Sequence, residues 1–199
     1  MTGPRIPGFK GEYLWELDIA EHHLNAIADA IPPERYSWRP THTARSVSEV
    51  LVHIAAGNLG LLDLAGVPAP REVYGTLDEL GAQRFFAIIA RNQELGRAIT
   101  TKADVIRLLH SALAIGRESF TTITDEQLAA EGTFFGEQTT VRRVYLRLLA
   151  HMHEHMGQLV GYVRMMGMNA PWPDPIDLIN AQREPERNSS VEDGHQGAR

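Results

Sequence analysis

The chain has 199 residues, 43% of them hydrophobic and 22% charged, with a formal net charge of -6. That length suits one domain with a buried core, and an acidic balance without a basic stripe excludes electrostatic capture of nucleic acid. There is no cysteine, which removes disulfides, thiolate metal ligands and a cysteine nucleophile together.

The first ten residues hold no apolar signal core. No stretch reads as the ~18 apolar residues that span a membrane, so a cytoplasmic protein without a membrane partner is expected. A first helix is predicted over 11–31, where Tyr13, Leu17, Ala20, Leu24, Ile27 and Ile31 follow helical spacing. Pro32 and Pro33 stop it, and the segment up to Pro40 reads as extended. A second helix begins at Ser46, with Glu49 three residues on as a capping box. Its apolar stripe is Val47, Val50, Leu51, Ile54, Leu61 and Leu62, and it ends at Gly66.

Between 71 and 97 the pattern supports only a short helix around 85–89, packed over one end of the fold. A third long helix runs over 102–123, capped by Thr100 or Thr101, with Val105, Leu108, Leu109, Ala112, Ile115 and Ile123 as its stripe. A fourth opens at Thr139 or Thr140 and continues to Met166, closed by Gly167. An apolar turn over 176–179 follows. Residues 1–182 then form a single domain, and the polar segment 183–199 reads as a disordered tail. No strand set is evident, so the expected fold is all-α, a four-helix bundle with long connections.

The fourth helix carries the chemistry. Its stripe is Val144, Leu148, Leu159, Tyr162 and Met166. At about 100° per residue, His151 and His155 fall within about 20° either side of Val144 on that face, and His153 falls opposite, toward solvent. Two imidazoles one turn apart can grip one metal ion. The same spacing also suits two hydrogen-bonded core histidines, and spacing alone does not choose between them.

His53 in the second helix is the candidate third ligand. It lies on the flank of that helix's stripe, among the small residues Ala55, Ala56, Gly57 and Gly60. These leave room above a metal, or equally allow a closely packed neighbouring helix. Gln158 and Tyr162 share the ligand face and are candidates to contact the ligands or a substrate; for Tyr162 helix packing is the simpler account. His22, His23, His42, His110 and His195 are placed on flanks, loops or the tail, where solvation accounts for them. The His-Glu-x-x-His order of zinc proteases, a Ser-His-Asp cue and a glycine-rich phosphate loop are all missing.

The helix segment Glu49-Val50-Leu51-Val52-His53-Ile54 follows a connection with Arg39-Pro40. Far downstream come His151, His155, Gly157 and Gln158, then Arg164, Gly167 and Pro171-Trp172-Pro173. This pattern resembles the DinB/YfiT-like family of metal-binding four-helix bundles over about 11–173. The resemblance implies that His53, His151 and His155 bind a divalent metal, with zinc or nickel foremost, at one end of the bundle cavity. It also implies a homodimer, a small-molecule substrate and a thiol-dependent S-transferase or isomerase using a low-molecular-weight thiol such as bacillithiol or mycothiol. Three neutral ligands leave the metal its full charge and an open position, the layout of a catalytic site. Two other readings remain: hydrolysis by a metal-bound water, and a non-catalytic, stress-associated bundle.

Overall fold

The structure, a computed structural model, describes residues 8–173. The expected turn over 176–179, the tail and His195 lie outside the described residues. Helix α1 spans Phe9–Ala30, α2 Val47–Leu64, α5 Lys102–Thr122 and α7 Val141–Met165. These four form the bundle: α1 and α2 each pack against both α5 and α7.

Between α2 and α5 lie the single turn α3 (Arg71–Tyr74) and the long helix α4 (Gly81–Ala98). After α5 come the short α6 (Asp125–Ala129) and an antiparallel hairpin of β1 (Glu131–Phe134) and β2 (Glu137–Thr140).

The local signals in the sequence act as expected. Ser46 and Glu49 form a reciprocal capping box on α2: the Glu49 N–H donates to Ser46 Oγ at 3.3 Å and the Ser46 N–H to Glu49 Oε2 at 2.7 Å. Thr101 caps α5 through the Asp104 N–H. Gly167, with φ 77°, turns the chain just beyond the end of α7.

Helix α2 is the centre of the molecule. Its residues Val50, Leu51, Ile54, Leu59 and Leu62 are buried against α5, α7 and α4. By length and composition α2 is apolar enough to cross a membrane, contrary to the reading of the sequence, but 72% of it is buried inside the bundle. It is therefore apolar all round because protein surrounds it. At one end of the core, Tyr13 stacks on Phe120 with ring centroids 3.7 Å apart, and Tyr145 meets both rings edge-on.

The segment after Pro32, read as extended, instead opens with a 3-10 turn over Pro33–Arg35, and two larger elements also correct the sequence reading. The short helix expected at 85–89 is the 18-residue α4. It packs outside the four-helix core, on α2, and buries Ile88 as its main apolar anchor. So narrow a contact leaves a weak apolar stripe, which hid its length. Polar contacts hold it instead: Arg84 donates to both oxygens of Asp63 at 2.9 and 2.7 Å, and Asn92 and Tyr74 meet at the Ala56 carbonyl.

The second correction is the hairpin. Its strands have four residues each, and its loop is Phe135-Gly136 with φ 49° and 84°. Two positive φ values make the type I′ geometry that normally selects Asn-Gly. A phenylalanine in that position carries no turn signal, so the strands were not legible.

Candidate metal centre

His53 comes from the middle of α2, and His151 and His155 from the middle of α7. The two helices run antiparallel past one another, so His53 meets His155 while Asn58, five residues on, meets His151. The three rings stand edge to face. Their centroids are 5.0 Å (His53–His151), 4.5 Å (His53–His155) and 4.8 Å (His151–His155) apart. One nitrogen from each lies within 4.8 Å of the others.

The separation of 3.3 Å between His53 Nε2 and His151 Nε2 is what two ligands about one tetrahedral ion require, given metal–nitrogen bonds of about 2.0–2.1 Å. The sequence reading that joined His53 to the α7 pair is met in space. The group can hold a divalent metal.

Each α7 imidazole is oriented from behind. The His151 Nδ1–H donates to Asn58 Oδ1 at 3.1 Å, leaving Nε2 with its lone pair toward the other rings. The His155 Nδ1–H donates to Gln158 Oε1 at 2.9 Å. Gln158 Nε2 donates to the Tyr162 hydroxyl at 2.9 Å, which donates to the Arg45 carbonyl at 3.0 Å. Tyr162 is therefore more than packing: it ties α7 to the loop before α2.

Sequence reasoning missed Asn58. Its one signal was a single amide inside an otherwise apolar run, Ala55 to Leu62.

Burial sets the charge state of the pair across the helices. His151 is buried and His53 half-buried. Desolvation, then Arg45, then His155 hold His53 down to about 4. Desolvation, then His53, His155 and Arg147, bring His151 to about 3. Both imidazoles are neutral at pH 7, as metal ligands must be.

Gly57 makes the close approach of His151 possible. A Cβ there would sit 2.5 Å from His151 Cε1 and 3.0 Å from Nε2. The glycines of α2 thus admit neighbouring helices, Gly57 the His151 ring of α7 and Gly60 the Ile88 side chain of α4, which is the second of the two readings left open by the sequence; both also line the cavity described next.

The triad lines a cavity of about 690 Å³. The loop before α2 contributes Arg39 and Arg45, α4 contributes Phe85 and Arg97, and α7 contributes Arg143 and Arg147. Phe134 and Phe135 of the hairpin close one side, with Phe135 edge-on to Phe85 at 5.2 Å.

The remaining described histidines stay out of the cavity lining. His153 is on the opposite side of α7, 3.9 Å from Glu16, and His23 stacks on Trp172 at 4.3 Å. His22, His42 and His110 are exposed.

The fold recurs in solved structures. A DinB-like protein from Bacillus cereus superposes with a TM-score of 0.55 at 16% identity, covering 83% of this chain and 97% of that one. A second, from Bacillus subtilis, gives 0.50 at 20% identity, covering 79% and 94%. An uncharacterised protein from Escherichia coli UTI89 gives 0.58 at 15% identity, covering 82% and 98%. No curated protein matches the sequence. The DinB superfamily model matches residues 16–159, a span that contains all three histidines, and the chain belongs to the DinB superfamily.

Proposed function

We propose that the protein is a metal-dependent transferase that activates a low-molecular-weight thiol for attack on an electrophile. The observation that carries the reading is three imidazoles, with no carboxylate among them, opening onto a cavity large enough for two small molecules. His53, His151 and His155 would hold a divalent ion, which would supply Lewis acidity to a bound substrate group.

The chain's own residues do the rest. Asn58 and Gln158 fix the orientation of His151 and His155. The wall of Phe85, Phe134 and Phe135 provides apolar surface for an electrophile. The chain has no cysteine, so a thiol nucleophile must arrive with the cosubstrate.

Hydrolysis is less well served. A hydrolase is helped by a general base positioned near the attacking water. Apart from the three histidines, the one such group lining the cavity among the described residues is Glu49, and its carboxylate is already committed to the Ser46 N–H and to Arg39.

The test has two parts. Elemental analysis of the untagged protein is expected to find close to one divalent ion per chain, lost in His53→Ala and His155→Ala and kept in His153→Ala. Metal retained in His53→Ala removes that residue from the site. The loaded protein is then assayed with a panel of thiols against chloro-dinitrobenzene and an epoxide. Thiol-dependent, metal-dependent turnover is expected. Turnover without thiol favours hydrolysis, and metal binding without turnover, with a melting temperature that collapses in chelator, favours a structural ion.

A further inference from the structure

The cavity beside the three histidines is cationic in a protein that is acidic overall. Among the described residues five arginines line it, Arg39, Arg45, Arg97, Arg143 and Arg147, against the single carboxylate of Glu49, while the whole chain carries a formal charge of -6.

Three of the five are accounted for. Arg39 pairs with Glu49 at 3.2 Å, and Arg147 is held by both oxygens of Glu154. Arg143 lies over the Phe134 ring at 5.3 Å. Among the described residues, the guanidinium groups of Arg45 and Arg97 donate to no carboxylate.

Their placement is not scattered. Arg45 immediately precedes the Ser46 cap of α2, and its charge is close enough to act on His53. Arg97 lies on α4, which runs antiparallel to α2. Arg84 is level with Asp63, a Cβ on Gly60 would touch Ile88, and Asn92 reaches the Ala56 carbonyl. Continuing that register by one more turn brings Gly96 and Arg97 level with His53. The aromatic wall of Phe85 lies toward the other end of α4, and Phe134 and Phe135 stand with it.

We infer that Arg45 and Arg97 form the recognition site for an anionic group, a carboxylate or a phosphate, on the small molecule that occupies the histidine cavity. Guanidinium forks match the geometry of both groups. Unpaired, they raise the local concentration of anions at the cavity mouth. The ligand class that fits is an organic anion with an apolar body, its charged end on Arg45 and Arg97 and its body toward the phenylalanines. This rests on the cavity proposed above as the substrate site, but it concerns arginines that do not ligate the metal.

The experiment is calorimetric titration of metal-free and metal-loaded protein with succinate, phenyl phosphate and the neutral analogue succinamide. The metal-free arm keeps direct anion–metal contact out of the reading. Succinate or phenyl phosphate is expected to bind metal-free protein, more weakly as salt rises, and succinamide is not; which of the two anions binds tells carboxylate from phosphate. The double variant Arg45→Gln/Arg97→Gln is expected to lose about tenfold or more in affinity, the loss of one to two charged hydrogen bonds. Arg91→Gln, on the outer face of α4 where Arg91 pairs with Glu94, leaves it unchanged. Metal content of the double variant, measured in parallel, is expected to stay at the wild-type level, which separates this inference from the metal assignment. Equal binding of succinamide, undiminished binding by the double variant, or no binding of either anion overturns it.

Discussion

The His151 ring occupies the space beside the α2 backbone that a side chain at Gly57 would need. A Cβ on Gly57 would lie 2.5 Å from His151 Cε1, so this glycine is the point where α7 presses the His151 imidazole against α2. Glycine normally costs a helix interior about 0.5–1 kcal/mol relative to alanine. Here that cost is offset by the position of the imidazole.

Gly57→Ala is therefore expected to displace His151, break its bond to Asn58 and lower metal affinity well below the wild type in a chelator competition. Gly116→Ala on α5 is the matched control. Its Cβ would meet only Leu62 Cδ1, at an ordinary 3.9 Å. It should raise stability by about 0.5–1 kcal/mol in denaturant unfolding and leave metal affinity untouched. Equal metal affinity in the two variants contradicts the account of Gly57.

Asn58 and Gln158 are expected to act on the metal without touching it. Asn58→Leu keeps the branched shape but leaves the His151 Nδ1–H without its acceptor, and Gln158→Leu likewise removes the acceptor of His155. Each should weaken metal binding by about 10- to 100-fold. Tyr162→Phe, which removes the acceptor of Gln158 Nε2 and the donor to the Arg45 carbonyl but keeps the His155–Gln158 bond itself, should cost less than either. A reversed order in competition titrations would show that the orientation argument is wrong.

The metal-free protein should weaken as acid is added. In the folded state burial holds His53 down to about 4 and His151 to about 3, both below their ordinary 6.5. The unfolded chain therefore takes up protons first, and stability falls as the pH drops from about 6.5 through about 4 toward 3. Thermal melts across that window should slope downward with acid, and His151→Leu should flatten the slope. A slope of the same size in that variant assigns the effect elsewhere.

Asp63→Asn should loosen α4 and leave the bundle in place. The Asp63 carboxylate takes three contacts from Arg84 and one from the Ala69 N–H. Losing the charged bonds is worth about 1–3 kcal/mol. Hydrogen exchange should show α4 amides opening more readily, with α2 and α7 protected as before.

The extent to which the molecule was legible follows from the range of each interaction. The α1, α2, α5 and α7 helices were readable because a stripe at 3.6-residue spacing records a broad buried face, and because caps such as Ser46 with Glu49 act within one turn. His151 and His155 were readable as a pair for the same reason. Helix α4 was cut short because it buries little beyond Ile88 and is held by polar bonds to residues well before it in the chain. The hairpin escaped because its Phe135-Gly136 turn lacks the usual chemistry.

The helical bundle and three imidazoles able to share an ion are written in local spacing and in a family pattern. That His53 and His151, 98 residues apart, place their Nε2 atoms 3.3 Å from each other is set by tertiary packing. It alone made Gly57 a clearance and Asn58 an acceptor, and gathered Arg45, Arg97 and Phe135 around one cavity. Those relations join segments that lie far apart in the chain, and their distances are set by how α2, α4 and α7 pack, which no periodicity along a single helix records.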